Sequence, residues 1–342
     1  MELTVIIPAR NEEDCLGACL QSLVSQSDEN WKLGRDWELL VVDDHSADRT
    51  REIAAGFSDV RVLSAPACPK KWTGKANAVW TAARQAKGDW LLFTDADTIH
   101  EPGDLRRALH EAEKHEVAML SYSPRQIVKG FWQRALMPLV FSELALAYPP
   151  AKVSDPESRV AAANGQFLLV RRDAYFQLGG HEAVAESILE DVELAYMAKR
   201  RKLGLRFRYA PDALSTRMYR SFGQMCEGWT KNLALLFGNA VATAAWKVLD
   251  VLLLFGLPVL AWYFRWPISP TMPWLTARLL ILLIWLRTLW RFYRRVMRSN
   301  FPLGDCLLSV FGLPLFIWLL WRSWFDHNVT KRVIWKGREY GR

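Results

Sequence analysis

The sequence predicts an α/β fold, a mostly parallel sheet covered by helices on both faces, followed by a helical, membrane-associated C-terminal region. Three observations predict it. Over the first 125 residues short apolar runs alternate with helical periodicity, those runs are near-continuous, and charge and tryptophan are displaced into the last third of the chain. Residues 241–342 carry 14 Lys+Arg against 4 Asp+Glu, while residues 1–240 carry 30 against 32. Ten of the 17 tryptophans follow Ala240. The length of 342 residues suggests about two units, and 51% hydrophobic residues exclude a disordered chain. The expected division is residues 1–240 as one domain and residues 241–342 as a membrane region with two or three short helices and a basic tail.

The elements follow in order. Leu3–Pro8, Glu38–Val42, Val60–Leu63, Trp90–Thr94 and Val117–Tyr122 read as buried strands, and Glu13–Val24, Asp48–Phe57, Lys75–Lys87 and Gly103–Lys114 as helices. Continuous apolar strands separated by helices mean a parallel sheet buried on both sides. In such sheets ligands bind beyond the carboxyl ends of the strands. Phe131–Tyr148 is apolar with aromatics at both ends, but Arg134, Pro138 and Glu143 argue for an amphipathic helix on a membrane or on the domain rather than a span. Ala161–Val170 reads as a further strand and Glu190–Lys199 as the start of a helix.

After Ala240 come three apolar stretches, Val248–Phe264, Trp274–Trp290 and Leu303–Trp321, each short against the roughly 20 residues of a span. Arg278 and Arg287 can snorkel towards opposite interfaces, and the proline-rich Arg265–Pro273 reads as a tight connection. With a cytoplasmic N-terminal unit, the loop carrying Arg291, Arg294, Arg295 and Arg298 is cytoplasmic, as the positive-inside rule requires. A third full span would export the tail with Lys331, Arg332, Lys336 and Arg338, so Gly312-Leu313-Pro314 is expected to turn the third segment back as a re-entrant or interfacial element.

Several classes are excluded or disfavoured. The N-terminal unit is slightly acidic, which argues against nucleic acid. The five cysteines form no CxxC pair and no cluster with histidine, so zinc or a disulfide framework is not indicated. No GxGxxG follows the first strand and no GxxxxGK[ST] is present. Met1-Glu2-Leu3 runs directly into a strand, so a cytoplasmic N-terminal unit is expected. Oligomeric state is not legible.

The residues that can carry chemistry gather at strand ends. Asp95-Ala96-Asp97 follows an apolar strand, where two carboxylates either hold a divalent cation on a diphosphate or act as turn and cap residues. Asp43-Asp44 ends another strand and serves either a nucleobase and ribose or the cap of the next helix. Pro8-Ala9-Arg10-Asn11-Glu12 closes the first strand and adds nucleoside contacts, or is a turn with Asn11 as N-cap. Gly74-Lys75 opens a helix, a position suited to phosphate, or is an ordinary solvated pair. Glu190-Asp191-Val192-Glu193 places acids at a helix start, favourable to the helix dipole and also suited to a general base. Gly179-Gly180-His181 can line the same pocket, although a lone histidine there also reads as structural.

Together and in this order these motifs resemble glycosyltransferase family 2. The matching pieces are Val5–Glu12, Val41–Thr50, Gly74–Asn77, Phe93–Thr98, Asn164–Arg172, Gly179–His181 and Leu189–Glu193, and the tail Val333–Tyr340 is similar to the ending of membrane-attached members, the nearest subgroup being the hopene-associated and carotenoid-type enzymes. The resemblance implies a GT-A nucleotide-sugar fold and an inverting, metal-dependent transfer from a nucleotide-diphosphate sugar to a lipid or lipid-linked acceptor. It implies Asp43 and Asp44 at base and ribose, with Pro8, Ala9 and Glu12; Asp95 and Asp97 at the ribose side and a Mg²⁺ or Mn²⁺; Lys75 at the phosphates; and Asp191 as base beside Glu190. Processive members carry a Gln-x-x-Arg-Trp motif that is absent here; Trp229 and Lys231 are candidates for analogous acceptor-side roles with His181. A polyprenyl-phosphate acceptor, or a non-catalytic membrane scaffold with a degenerate nucleotide pocket, are the alternatives.

Overall fold

The computed structural model describes residues 1–263, 272–335 and 338–341. The expected connection Arg265–Pro273 and the basic tail lie partly outside the described residues. In chain order the elements are β1 (Leu3–Ala9), α1 (Leu16–Val24), β2 (Trp37–Asp43), α2 (Thr50–Ala55), β3 (Val60–Ser64), α3 (Gly74–Ala83), β4 (Trp90–Phe93), β5 (Thr98–His100), α4 (Asp104–Lys114), β6 (Met119–Ser123), β7 (Arg125–Gln126), α5 (Gly130–Ala147) and α6 (Pro150–Ser154). Then come β8 (Leu168–Arg171), α7 (Arg172–Leu178), α8 (Glu190–Arg200), β9 (Leu205–Tyr209), β10 (Leu214–Thr216), α9 (Phe222–Leu236), α10 (Ala240–Val251), α11 (Leu257–Tyr263), α12 (Met272–Val296), α13 (Leu303–Phe325), β11 (Arg332–Trp335) and β12 (Arg338–Gly341).

Two compact units result. The first takes residues 1–127 and 148–218, and the second takes residues 128–147 and 219–342. The chain therefore divides elsewhere than at residue 240, because α5 and α9 pack with the C-terminal helices.

The first unit is built on a seven-stranded sheet in the order β3-β2-β1-β4-β8-β6-β9. β8 alone runs antiparallel to its neighbours β4 and β6; the other pairs are parallel. Alternate side chains feed two cores. Val5, Ile7, Leu39, Val41 and Leu92 pack with Leu16, Leu20, Leu105 and Leu109 on one face, while Ile6, Leu40, Val42, Leu91 and Phe93 pack with Val79, Ala82, Leu194 and Ala198 on the other. Both faces are buried, which is why the strands are apolar throughout. The order of connection reverses beside β1, with β2 on one side and β4 on the other, so the crevice beyond their carboxyl ends is the topological switch point.

Ala161–Val170 differs from the expectation of one strand. Only Leu168–Arg171 is strand, because Asn164-Gly165 turns the chain: Phe167 N–H donates to the Asn164 carbonyl at 3.0 Å. A second small sheet, β5-β10-β7, has no counterpart in the sequence pattern, its strands being only two or three residues long.

In the second unit α13 packs along α5, α9 and α10. Gly312 is required at the crossing with α5, since a Cβ there would lie 2.4 Å from the Ala135 carbonyl oxygen. Gly312-Leu313-Pro314 does not turn the third segment back: α13 is uninterrupted from Leu303 to Phe325 with Pro314 inside it. The glycine serves close helix packing, and the proline removes one backbone donor without ending the helix. The polar residues of α5 find partners here, Arg134 Nε on Asp305 and Glu143 on Lys247 at 2.8 Å. Among the described residues, Ala240–Tyr263 and Leu303–Thr330 are long and apolar enough to cross a membrane; at 24 and 28 residues they exceed their apolar cores because the helices continue past them.

Candidate active site

The site is assembled at the carboxyl ends of β1, β2 and β4 by loops that brace one another. After β1, Asn11 adopts a left-handed conformation (φ 53°) and its Oδ1 accepts from Ala47 N–H at 2.8 Å, across to the loop after β2. Glu12 N–H donates to Thr50 Oγ1 at 2.8 Å, and Asn11 N–H to Ser46 Oγ at 3.1 Å. Asn11 thus ties two loops rather than capping α1, which begins only at Leu16. Ala9 closes β1 opposite Asp43, and Pro8 lies opposite Val42.

Asp43 Oδ1 accepts from Ser46 N–H at 3.2 Å and Asp44 lies 3.9 Å from Arg10, which also donates to the Asp44 carbonyl at 3.0 Å. The side chain bonded to Thr50 N–H, in the first turn of α2, is that of Asp48, at 3.0 Å. Asp48 is thus the acid bonded at the start of α2, while Asp43 lies 3.9 Å from Arg51 of the same helix.

Lys75 is not an ordinary solvated lysine. Thr73 caps α3, its hydroxyl accepting from Ala76 N–H at 3.1 Å, and this sends the Lys75 ammonium between Asp95 Oδ1 at 2.9 Å and Glu190 Oε1 at 3.0 Å. Burial works against the charged ammonium, yet the carboxylates of Asp95, Glu190 and Asp191 outweigh it and hold its pKa well above the usual lysine value.

Glu190 and Asp191 open α8 and are driven apart by their surroundings. Burial pushes both upward. For Glu190 the adjoining Lys75 wins and its pKa falls. Asp191 is pushed up to about 6 by burial and then by the Glu190 charge, although Lys75 and two backbone N–H groups pull the other way. Those donors are Gly165 N–H to Oδ2 at 2.7 Å and Val192 N–H to Oδ1 at 2.8 Å. Neighbouring carboxylates with opposite shifts are the arrangement that separates a charge-holding acid from a base.

Gly165, Thr94 and His100 are the residues that motif reading missed. A Cβ on Gly165 would lie 2.8 Å from Lys75 Nζ and 3.4 Å from Asp191 Oδ2, so any larger residue would have to displace the Lys75 ammonium. Its signal was the Asn-Gly dipeptide inside an apolar run. Beneath the site runs a buried chain: Asp104 Oδ2 to His100 Nδ1 at 2.7 Å, His100 Nε2 to Thr94 Oγ1 at 3.1 Å, and Thr94 Oγ1 donating to the Gln166 carbonyl at 2.8 Å. It joins the end of β4, which carries Asp95, to the turn that holds Asp191. No motif announces it, because Thr94 meets a carbonyl 72 residues further along the chain.

Asp95 and Asp97 flank the buried Ala96, and Thr216 Oγ1 donates to the Asp97 carbonyl at 3.2 Å. Among the described residues no three His, Cys, Asp or Glu side chains cluster to hold a metal by themselves. His181 lies inside the first unit, 2% exposed, its Nδ1 paired with Tyr175 Oη at 2.8 Å and its ring edge-on to Phe93. Burial lowers its pKa to about 4. Trp229 and Lys231 belong to α9 of the second unit: the Trp229 ring is packed against Tyr219 and Phe141, and the Lys231 carbonyl meets His327 Nε2 at 2.8 Å.

Comparison with known proteins gives the family and the fold. The sequence pattern described as Glycosyl transferase family 2 matches residues 4–177, from β1 to the end of α7. The chain belongs to glycosyltransferase family 2. This family 2 enzyme is 26% identical to the 4,4'-diaponeurosporenoate glycosyltransferase of Staphylococcus aureus, a carotenoid-type relative, over 99% of this chain and 88% of that protein. That membership replaces the scaffold alternative. Its fold is that of the mannosyltransferase PcManGT from Pyrobaculum calidifontis, solved with GDP-Man and Mn²⁺, at a TM-score of 0.55 and 18% identity over 96% of this chain and 88% of that one.

Proposed function

We propose that this enzyme is membrane-attached and transfers a sugar, with inversion, from a nucleotide-diphosphate donor to the hydroxyl group of a lipid or lipid-linked acceptor. The first compact unit is the catalytic one, on the cytoplasmic side, and the apolar helices of the second hold it where such an acceptor lies. The observation that carries the reading is Asp191: a half-buried carboxylate, fixed by two backbone N–H groups, with a pKa raised to about 6 beside a Lys75–Glu190 pair. A base poised near the working pH takes the acceptor proton as the oxygen attacks the anomeric carbon. The fixed hydrogen bonds orient the carboxylate, so little reorganisation is needed at that moment. The carotenoid acid named for the relative of similar length supports an apolar acceptor.

On the donor side, Asp43 and Asp44 with Pro8, Ala9 and Glu12 hold base and ribose, and Lys75 offsets charge on the departing diphosphate. Three carboxylates, Asp95, Glu190 and Asp191, act on the one lysine, and Asp97 follows two residues after Asp95, a set of hard oxygen donors that suits Mg²⁺ or Mn²⁺ completed by phosphate and water oxygens. Asp95 and Asp97 would hold the ion. When bound, it neutralises charge on the diphosphate. The GDP-Man and Mn²⁺ of the Pyrobaculum mannosyltransferase complex are consistent with this set.

The test is nucleoside diphosphate release from UDP- and GDP-sugars by the full chain in native membrane lipid, with Mn²⁺ or with EDTA. Metal-dependent turnover of one donor, lost in Asp191→Asn with donor binding kept, is the expected result. Turnover that survives in Asp191→Asn would remove the base assignment and favour an acceptor whose oxygen is already ionised, a polyprenyl phosphate or a carboxylate. Turnover unchanged by EDTA would remove the metal.

A further inference from the structure

Between Asp250 and Asp305 the chain has no acidic residue and no lysine, but it has seven arginines. Five of them, Arg287, Arg291, Arg294, Arg295 and Arg298, fall at the end of α12 and in the single turn Met297–Ser299 that prolongs it. They do not share one fate. Arg295 turns inward, 28% exposed, and lies 3.5 Å from both Glu143 and Asp250. The other four are exposed and spaced four, three and four residues apart, the spacing of one helix face. Arg291 reaches only the edge of the inward cluster, 3.9 Å from Asp250, and Arg294 lies over the Trp290 ring at 4.9 Å from its centre.

Like charges at these spacings repel along a helix, so a stripe of four without interspersed acids calls for an external anion. The side chains beside it are apolar and exposed, including Leu283, Leu286, Trp290 and Met297. A tryptophan and arginines at the end of an apolar helix are the composition of the headgroup layer. All the cations are arginine, whose planar fork engages a phosphate through two parallel hydrogen bonds, which lysine does not do.

We propose that Arg287, Arg291, Arg294 and Arg298 form a binding site for the phosphate of anionic phospholipid headgroups. The proposal rests on the membrane attachment read above, and the stripe is independent of the sugar-transfer site.

The probe is phosphatidylglycerol against phosphatidylcholine, both offered in equal amounts to the full chain in mixed micelles, with the lipids that stay bound counted by native mass spectrometry. Wild type is expected to retain phosphatidylglycerol in preference, and each arginine removed should weaken that preference by up to about fivefold. The variant carrying R287Q, R291Q, R294Q and R298Q should retain both lipids equally, and the corresponding four-lysine variant should fall between. Equal retention by wild type, or an undiminished preference in the glutamine variant at unchanged thermal midpoint, would overturn the site. A lysine variant equal to wild type would show charge without a built phosphate site, and displacement by soluble glycerol phosphate would make the natural ligand a soluble ester; either result overturns the proposal. Alkaline carbonate extraction of native membranes is the separate control: release of the chain would remove the membrane reading itself.

Discussion

Each compact unit contains a lysine set between two carboxylates, and the two lysines do different things. Lys75 lies 2.9 Å from Asp95 and 3.0 Å from Glu190, at the mouth of the strand ends, with 36% of its side chain exposed. Lys247 lies 2.8 Å from Glu143 and 3.1 Å from Asp250, with 2% exposed, and Arg295 adds a second cation to the same acids. The inner cluster is balanced and closed, so its work is to tie α5, α10 and α12 together. The outer one has three carboxylates, Asp95, Glu190 and Asp191, acting on its one lysine, and it is open. Surplus charge with access, rather than the ion pair itself, separates a site from a strut.

The largest effect should come from the residue that makes the outer cluster unbalanced. Asp191→Asn is expected to lower turnover at least 100-fold while leaving donor affinity nearly unchanged, measured by steady-state release and by donor titration. The same variant carries a pH signature. A carboxylate raised from the usual 3.8 to about 6 in the folded chain favours folding while protonated; that contribution is present at low pH and is lost as pH rises through about 6. Wild-type turnover should therefore rise through pH 6 as the base ionises, and Asp191→Asn should be the more thermostable protein above it, with the difference vanishing towards pH 4. An equal thermal midpoint at all pH values would contradict the raised pKa.

Gly165→Ala sharpens the comparison without touching a charge. Its Cβ would lie 2.8 Å from the Lys75 ammonium and in ordinary contact with Asp191, and displacing the ammonium should lower kcat by up to about 100-fold with little loss of thermal stability. Activity within twofold of wild type would mean the lysine moves aside freely.

The lysines themselves should behave differently. Lys247→Met leaves Glu143 and Asp250 with Arg295 and Arg291 as partners and is expected to destabilise the chain by about 2 kcal/mol, read as a lowered midpoint with the donor KM unchanged in what remains folded. Lys75→Met should raise the donor KM and, because Glu190 loses the cation that holds its pKa down, lower the midpoint as well. If the donor KM were unchanged in both variants, the division into site and strut would fail.

The smallest effect belongs to the buried chain under the site. Thr94→Val removes the hydroxyl that joins β4 to the Gln166 carbonyl, at about 1 kcal/mol, and should lower kcat several-fold with the acceptor KM kept, while Thr94→Ser restores it. No rescue by serine would mean the methyl group matters, not the hydrogen bond.

Much of this architecture is legible in the sequence. Strand ends at Pro8, Val42 and Thr94 follow from apolar runs and lie within one residue of the ends of β1, β2 and β4, and the acids that follow them come from the rule that α/β sheets bind at their carboxyl ends. Other features are hidden for physical reasons. Gly165 lies inside a run that looks like continuous strand, and its purpose is the space it leaves for Lys75, which is 90 residues earlier in the chain. His181, a candidate for the acceptor side, is held among Tyr175 and Phe93, and a lone histidine carries no mark that tells packing from contact. Gly312 and Pro314 look like a turn because both residues break helices locally, yet packing against Ala135 outweighs that local cost.

By itself, then, the sequence determined the alternation of strands and helices, the placing of carboxylates at strand ends and the basic, tryptophan-rich character of the last third, because each is set by local periodicity and composition. Only the tertiary structure decided which carboxylate faces Lys75, which stands beside Gly165 with a raised pKa, which arginine turns inward to Glu143 and Asp250, and which four stay outside. Those outcomes depend on charges brought within a few ångströms from distant segments, and pairwise distance is the one quantity that spacing along a chain does not contain.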